Sequence, residues 1–343
     1  MNHPARTDGF AFVEFVSSAP SELVDLFERF GFRVAGRSPH DMILMTQGAA
    51  AFVVNGNPNA FRDRHGASVR AIAIRVDDAR RAQQQALAGG ARIALPEAEG
   101  AFVIDTPTIL GIGDSLVYFV DTDIRDVFNL PVEPRRTPAG DARIVAVDHT
   151  SNIVHPENLD RWADFYRDTF GFDERQYLEV KGRATGMRAR SMVSPCGRVS
   201  IPVAAAAHDQ PGVLNQNDEF IRDYGGEGIQ HIALLSADIE VTLDRLAAAG
   251  IAFMAPPSPH YYAGIDTRLP GHGLDVERLA ARGILVDGKG PEHILLQRFT
   301  RRQIGPVFFE IIERRGEDGF GEGNFKALFE SQEQDQQARS TQQ

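Results

Sequence analysis

An α+β fold built from tandem units of one strand, one helix and several further strands is predicted by two pairs of internal repeats. Residues 11–36 and 145–176 each show a short apolar strand, a turn, an amphipathic helix and a Phe-Gly-Phe corner. Residues 69–93 and 229–253 each show a strand, an alanine-rich helix, a glycine and another strand. Four such units can close two curved sheets, one in each half of the 343-residue chain.

The helix predictions depend on apolar spacing and on capping residues. Leu23, Leu26 and Phe27 recur at helical intervals, which indicates one buried face. Asp78 and Asp238 stand at the start of the second helix of each half, where a carboxylate can accept hydrogen bonds from free backbone N–H groups. A glycine after each helix suits a left-handed C-cap.

These repeats predict the domain organisation. Residues 8–122 form an N-terminal structural domain without metal ligands, and residues 145–334 form the C-terminal domain that carries the chemistry. Residues 123–144 are polar, contain three prolines and are interpreted as a linker. Residues 335–343 are interpreted as a polar tail.

Composition excludes several classes of protein. The hydrophobic fraction is 43%, the charged fraction is 24% and the net charge is −11, as in ordinary globular proteins. No Lys/Arg block with interleaved aromatic residues favours a nucleic-acid partner, and no apolar run is long enough to span a bilayer. Cys196 alone cannot form an internal disulfide, and the N-terminal residues lack an apolar signal segment, so a cytoplasmic location is expected.

An asymmetry between the repeats indicates a site. Aligning the first units places Phe15 opposite His149, and aligning the second units places Ala71 opposite His231. A lone strand histidine is more often a hydrogen-bonded core residue than a ligand, so neither histidine is sufficient evidence alone.

Glu310 strengthens the argument, because it interrupts the apolar strand VFFEII. An unpaired buried carboxylate is very costly, and a metal ion or a nearby cation would relieve that cost. Two histidines and one carboxylate are the facial triad of non-haem iron(II) oxygenases, which leaves positions open for a chelating substrate and O₂. His149, His231 and Glu310 are therefore the predicted metal ligands.

Several segments resemble one known family. GEGIQHIAL (226–234), LLQRFT (295–300), FFEIIER (308–314) and GFGEGNFKALFES (319–331) look like 4-hydroxyphenylpyruvate dioxygenase, a member of the vicinal-oxygen-chelate superfamily. FVEF and GIGDSLVYFVD (111–121) in the first half fit the same family, so the likeness runs from about residue 8 to about residue 334. The resemblance implies two open-barrel domains of βαβββ modules and a C-terminal lid helix.

The resemblance also implies the contents of the site. It implies one Fe(II) per chain on His149, His231 and Glu310, and catalytic roles for Gln230, Gln297 and Asn324. It implies that the substrate-binding pocket is lined by a further set of residues: Ala189, Ala204, Gln216, Phe299, Phe308, Phe320, Phe325 and Leu328. Glycines around Phe320 and Phe325, in the segment 319–331, favour a mobile lid.

The chain departs from the family at two polar positions. Where the family has G-L-x-S, this chain reads GMRA and has Ala189; where the family has P-L-N-E, it reads PVAA and has Ala204. A glutamine downstream is kept as Gln216. Two alanines make that wall of the pocket roomier and less polar, so a divergent member that accepts a bulkier or less polar acid is expected.

The expected function is an O₂-dependent oxidation of an aromatic 2-oxo acid, with 4-hydroxyphenylpyruvate and homogentisate as the first substrate and product and a role in tyrosine catabolism. Benzylic hydroxylation, as in 4-hydroxymandelate synthases, and another aryl 2-oxo acid are alternatives. A binding protein without turnover and a zinc or nickel isomerase of the glyoxalase type are alternatives from other classes. A homo-oligomer, dimer or tetramer, is expected from the resemblance.

Overall fold

The computed structural model describes most of the chain. The described ranges are residues 5–38, 41–94, 106–128, 143–181, 186–207, 215–317 and 319–324. These ranges do not include the predicted lid helix, Phe325, Leu328 or the predicted tail 335–343. No helix in the described ranges is long and apolar enough to cross a membrane.

The first half contains eight strands and four helices within the described ranges. Its elements are β1 (Thr7–Val16), α1 (Pro20–Arg29), β2 (Arg33–Arg37), β3 (Met42–Gln47), β4 (Ala50–Asn55), α2 (Ala60–His65), β5 (Ser68–Val76), α3 (Ala79–Ala88), β6 (Arg92–Ile93), β7 (Thr108–Leu110), β8 (Leu116–Val120) and α4 (Ile124–Val127). The last helix, a single turn capped by Asp123, falls inside the segment interpreted as a linker.

The second half repeats this order and adds three helices. Its elements are β9 (Ile144–Ile153), α5 (Leu159–Phe170), β10 (Asp173–Lys181), β11 (Gly186–Val193), β12 (Ser200–Ala207), α6 (Gln216–Tyr224), β13 (Gly228–Ser236), α7 (Ile239–Ala248), α8 (Pro259–Ala263), α9 (Ile265–Arg268), α10 (Val276–Arg282), β14 (Leu285–Gly290), β15 (His293–Phe299) and β16 (Phe308–Arg315).

Each half forms one mixed eight-stranded sheet. The order is β2-β3-β4-β1-β5-β8-β7-β6 in the first and β10-β11-β12-β9-β13-β16-β15-β14 in the second. In both sheets the first strands of two βαβββ modules pair antiparallel at the centre. The predicted tandem α+β fold is therefore confirmed.

Local sequence explains where the helices begin and end. Asp78 and Asp238 accept hydrogen bonds from the backbone N–H groups of Arg81 and Val241, as the repeat predicted. Gly171 ends α5 with φ of +67°, the left-handed conformation that glycine adopts without strain.

Aromatic packing joins the two halves. Phe309 of β16 lies 4.7 Å from Phe30 and 6.3 Å from Phe27 between ring centroids, so a residue beside the predicted ligand Glu310 packs against α1 of the other half. Gly113, with φ of +63°, lies so close to the Glu227 carbonyl oxygen that a Cβ atom would collide with it. These contacts hold the second sheet against the first.

The strand register corrects one alignment made from the sequence. Ala71 and His231 are equivalent residues of the two sheets. Two residues after each of them, Ala73 pairs with Phe12 in the first sheet and Ala233 pairs with His149 in the second. Phe12 is therefore the equivalent of His149, and the prediction of Phe15 was wrong. Phe15 lies on the other face of its strand, 4.7 Å from Phe27 and 4.9 Å from Phe52.

Each of the two strands contains a β-bulge near this position. The register shifts by one residue at Ala11 in β1 and at Asp148 in β9, so each strand holds one more residue than a regular ladder would. The alternation of apolar residues does not mark this extra residue. The bulges nevertheless occupy equivalent places in the two halves, which supports the corrected alignment.

Candidate metal centre and substrate cavity

Three side chains from three adjacent strands converge at the centre of the second sheet. His149 lies on β9, His231 on β13 and Glu310 on β16, and β13 pairs with both of the other strands. Glu310 Oε2 lies 3.1 Å from His149 Nε2 and 3.8 Å from His231 Nε2. Each residue offers a ligand atom within 4.8 Å of the others.

These distances fit a metal ion. Ligand atoms at about 2.1 Å on neighbouring corners of an octahedron lie about 3 Å apart, close to the two separations found here. Glu310 is 1% exposed, so its carboxylate needs a compensating positive charge. Two imidazole nitrogens and one carboxylate oxygen are the donors expected for a divalent ion of the first transition row.

A bidentate ion pair holds the far side of His149. His149 Nδ1 lies 2.9 Å from Asp148 Oδ1, which assigns the proton to Nδ1 and leaves Nε2 free to bind a metal. Arg314 donates to both oxygens of Asp148, at 2.7 and 2.8 Å. Arg314 also donates to the carbonyl oxygens of Glu317 and Gly319.

The electrostatics of the two histidines differ. Burial lowers the pKa of His149, but the carboxylates of Glu310 and Asp148 outweigh burial and raise that pKa to about 9. Burial, with the neighbouring His149, lowers the pKa of His231 well below its usual value. Burial of Asp148 is outweighed by hydrogen bonds from Arg314 and His149, which hold its pKa below the usual range. A metal ion binding here therefore meets one neutral imidazole already in place.

A second chain of hydrogen bonds holds Glu310. Gln297 Nε2 donates to Glu310 Oε1 at 2.8 Å and to the Phe320 carbonyl oxygen at 3.2 Å. Asn324 Nδ2 donates to Gln297 Oε1 at 2.8 Å, and the Tyr261 hydroxyl donates to Asn324 Oδ1 at 2.5 Å. Both ends of the Gln297 amide are thus used to position a metal ligand.

Both series of hydrogen bonds, the one behind His149 and the one behind Glu310, end at the segment 319–324. Arg314 contacts the Gly319 carbonyl oxygen, and Gln297 contacts Phe320 and Asn324. Gly321 has φ of +80°, and a Cβ atom there would collide with the Gln297 side chain. Glycine at this position lets the segment run directly over the group that holds Glu310.

A bulge turns two neighbouring side chains toward one cavity. Ile229 pairs with Asn152 and His231 pairs with Ser151, so Gln230 is the extra residue of β13. On a regular strand Gln230 and His231 would face opposite ways. Here both line the same small cavity.

One wall of this cavity is apolar and another is polar. Ala189 and Ala204 face each other directly across β11 and β12, and both line the cavity. Gln216 and Asn217, at the start of α6, also line it, and the Asn217 amide nitrogen is buried without a hydrogen-bond partner among the described residues. The remaining lining residues are Ser151, Ile153, Gln176, Leu178, Met187, Ser191, Pro202, Gln230 and His231.

Aromatic rings surround the three ligands. The Phe308 ring stacks on His231 at 4.9 Å, and the Phe299 ring lies 6.3 Å from His231 at nearly a right angle. Phe320 meets His149 edge-on at 5.6 Å. These three phenylalanines are at most 7% exposed, so they surround the ligands with an apolar shell.

Two family models match the chain. One, described as "Hydroxyphenylpyruvate dioxygenase, HPPD, N-terminal", matches residues 1–127. The other, "Glyoxalase/Bleomycin resistance protein/Dioxygenase superfamily", matches residues 146–304. A curated 4-hydroxyphenylpyruvate dioxygenase of Pseudomonas aeruginosa is 40% identical over 98% of this chain and 96% of its own length. This chain belongs to the 4-hydroxyphenylpyruvate dioxygenase family.

Two further proteins are similar to this chain. A protein of Vibrio vulnificus named hemolysin VllY is 43% identical over 97% of this chain and 96% of its own length. A variant of 4-hydroxymandelate synthase from Streptomyces coelicolor shares the fold, with a TM-score of 0.81, 23% identity and coverage of 96% and 99% of the two chains. The family is metal-dependent, and His149, His231 and Glu310 supply a site that fits a metal ion.

The structure brings most of the predicted site residues together. Gln216, Gln230, Ala189 and Ala204 line the cavity beside His231. The other described site residues contact the ligands or their hydrogen-bond partners: Gln297, Phe299, Phe308, Phe320 and Asn324. Their catalytic and substrate-binding roles stay predictions.

Sequence reasoning missed the residues that support the ligands. Asp148 is adjacent to His149, and that position was a usable signal, because a metal-binding histidine commonly donates its other N–H to a carboxylate. Arg314 and Tyr261 could not be found in this way. Arg314 lies on β16 with Glu310, but its contact with Asp148 joins distant parts of the chain, as does the contact of Tyr261 with Asn324.

Proposed function

We propose that this chain is a non-haem iron(II) dioxygenase that oxidatively decarboxylates and hydroxylates an aromatic 2-oxo acid. The first candidate is the conversion of 4-hydroxyphenylpyruvate into homogentisate. The observation that carries the proposal is the convergence of His149, His231 and Glu310 inside a shell of phenylalanine rings. Relatives at 40% identity that bear this enzyme's name support it.

Iron(II) is the proposed ion, one per chain. Bound there, it would supply the positions at which the carboxylate and keto oxygens of the acid chelate and at which O₂ is activated. The residues of the chain orient the ligands and exclude water. Asp148 fixes the tautomer of His149, Gln297 orients the Glu310 carboxylate, and Phe308 and Phe320 keep water from the two imidazoles.

One edge of the substrate ring is proposed to lie in the cavity beside His231, whose volume is about 50 Å³. Gln230, Gln216 and Asn217 provide amide groups there, and the Asn217 nitrogen still has a hydrogen bond to make. Gln297 and Asn324 are proposed as positioning residues, since their amides are engaged with each other and with Glu310.

The facing pair Ala189 and Ala204 favours a second candidate, an aryl 2-oxo acid without a ring hydroxyl or with a larger ring. Two methyl groups across the ladder leave this wall without hydrogen-bond donors. A pocket without such donors discriminates weakly against a less polar ring.

The test loads the purified protein with iron(II) without oxygen, adds one oxo acid and then admits O₂. Homogentisate and 4-hydroxymandelate are isomers, so they must be separated by chromatography or NMR and not by mass alone. The panel compares 4-hydroxyphenylpyruvate, phenylpyruvate and a bulkier aryl oxo acid, with zinc-loaded protein as control. Absence of O₂ uptake that depends on an oxo acid would contradict the proposal.

Three wider features of the protein are also proposed. The division at 8–122, 123–144 and 145–334 is supported by the two separate sheets, and limited proteolysis would test it. Cytoplasmic location and a homo-oligomeric state, dimer or tetramer, follow from the family. Light scattering of the purified protein would measure its oligomeric state.

A further inference from the structure

A large cleft lies beside the metal centre and is distinct from the small cavity. Its volume is about 710 Å³, against about 50 Å³ for the cavity beside His231. Both halves contribute to it: Phe10 and Arg75 come from the first, and Arg175, Ser200 and Phe320 from the second. An aromatic acid fits a space of this size, since pockets for such molecules are about 300–1,000 Å³.

The cleft borders the metal centre at two residues and the small cavity at a third. Asp148, which binds His149, lines it, and so does Phe320, whose ring lies 5.6 Å from His149. Gln176 lines both the cleft and the cavity beside His231. A molecule in the cleft is therefore separated from His149 by Asp148 and Phe320, and it borders the proposed substrate cavity at Gln176.

The charges of the cleft leave a positive excess. Its acidic residues each form an ion pair with a cation of the cleft: Asp8 with Arg198, Glu317 with Lys289, and Asp148 with Arg314. Two further cations, Arg75 and Arg175, line the cleft and form no ion pair within the part of the chain that the structure describes. The cleft thus carries a local excess of positive charge in a chain whose net charge is −11.

We propose that this cleft is the entrance for the anionic substrate, and that Arg75 and Arg175 attract its carboxylate before it reaches the metal. The inference rests on the proposed function, because it takes a 2-oxo acid as the ligand. A negatively charged protein repels an anionic acid on average, and a cleft lined by cations reverses that repulsion locally and increases the rate of encounter.

The two arginines differ from the cations that hold the site together. Arg314 is committed to Asp148 and to backbone carbonyls, so replacing it would disturb a metal ligand. Arg75 is half-buried at the end of β5 and Arg175 is exposed on β10. Their replacement removes charge from the cleft without touching a ligand or its hydrogen-bond partner.

The experiment measures the association rate of 4-hydroxyphenylpyruvate with iron-loaded protein in the absence of O₂. Stopped-flow absorbance follows formation of the chelate at ionic strengths from about 0.01 to about 0.5 M, where the Debye length falls from about 30 Å to under 10 Å. We expect Arg75→Gln/Arg175→Gln to slow association about fivefold at low salt and to flatten the salt dependence. The dissociation rate should stay close to that of the unsubstituted protein.

Arg29→Gln/Arg33→Gln is the matched control, because both arginines are exposed outside the cleft and the change in net charge is identical. If the control slows association as much as the cleft variant, or if the cleft variant keeps the original rate and salt dependence, the proposal is overturned. Salt-dependent binding that the cleft variant loses, without O₂ uptake, would support the entrance and contradict the proposed oxygenase activity.

Discussion

The two sheets place different side chains at three equivalent positions. Where the second sheet has His149, His231 and Glu310, the first has other residues in the same register: Phe12, Ala71 and Tyr118. Phe12 and Tyr118 pack against each other at 5.7 Å, and Phe128 covers Phe12 at 5.4 Å. The same backbone thus supports an aromatic cluster in one half and a candidate metal centre in the other.

The neighbouring positions differ as well. Gln230 corresponds to Arg70, which in the first half lies 3.7 Å from the buried Glu14. Ala204 corresponds to Asn55, whose amide donates to Glu14 at 2.7 Å. These polar groups of the first half therefore contact one another, whereas those of the second half line a cavity. Function here depends on leaving polar groups available, since the fold itself is shared.

The largest expected effect comes from removing the negative charge of one predicted ligand. Glu310→Gln removes the negative ligand, so metal binding should be lost and turnover should fall by about a thousandfold or more, equivalent to about 4 kcal/mol of barrier. Metal analysis and O₂ uptake measure the two effects.

Tyr118→Phe is the control at the equivalent position of the first sheet. It should leave metal content and turnover unchanged, because no described residue of the first half belongs to the candidate metal site. A large loss of turnover in this variant would mean that the two sheets do not divide their roles as proposed.

A smaller effect is expected from the ion pair behind His149, which the first half lacks because Ala11 stands where Asp148 does. Arg314→Gln should weaken metal affinity about 10- to 100-fold, since the bidentate contact that orients Asp148 and His149 is lost. Competition with a chelator measures this affinity.

Arg315→Gln is the matched control, because Arg315 is adjacent, exposed and paired with Glu313. Equal metal affinity of Arg314→Gln and the unsubstituted protein would show that the ion pair supports the fold and not the ion. Arg314→Lys should restore only part of the affinity, because a lysine cannot make the bidentate contact.

The alanine wall should affect selectivity and not metal binding. Ala189→Ser/Ala204→Asn adds hydrogen-bonding groups to two facing positions. We expect the ratio of kcat/KM for 4-hydroxyphenylpyruvate over phenylpyruvate to rise about tenfold. Ala207→Ser, on the same strand but outside the cavity lining, should leave the ratio unchanged. An unchanged ratio in the double variant would show that Ala189 and Ala204 do not determine the selectivity between these substrates.

The predicted ligands could be named from the sequence, but their surroundings could not. His149, His231 and Glu310 could be predicted because histidine and glutamate are conspicuous in apolar strands. The helix caps Asp78 and Asp238 could be predicted because capping is local. The equivalence of His149 and Phe12 could not, since it depends on how each strand pairs with its neighbour in the sheet.

Long-range contacts explain the other omissions. Arg314 reaches Asp148 across 166 residues of sequence, and Tyr261 reaches Asn324 across 63. Gln297 could be predicted to lie at the site, but its hydrogen bond to Glu310 depends on the register of β15 against β16. Such pairings are set by tertiary packing, which the local pattern of the sequence does not contain.

The smallest expected effect concerns His65, through which α2 of the first half contacts α6 of the second. His65 Nδ1 donates to the Tyr224 carbonyl oxygen at 2.7 Å, and the two rings stack at 4.5 Å. Burial lowers the pKa of His65, with Arg64 adding to the effect against the raising influence of the Tyr224 carbonyl. A histidine with a lowered pKa stabilises the folded state while it is neutral, which means above its ordinary pKa of about 6.5.

That stabilisation should be lost as the pH falls below about 6.5, with a slope of at most about 1.4 kcal/mol per pH unit for one proton. Urea unfolding of metal-loaded protein between pH 5 and pH 8 should show a shallower decline for His65→Gln than for the unsubstituted protein. His155→Gln, at an exposed position, should keep the original slope. If His65→Gln also keeps the original slope, the contact between α2 and α6 does not sense pH.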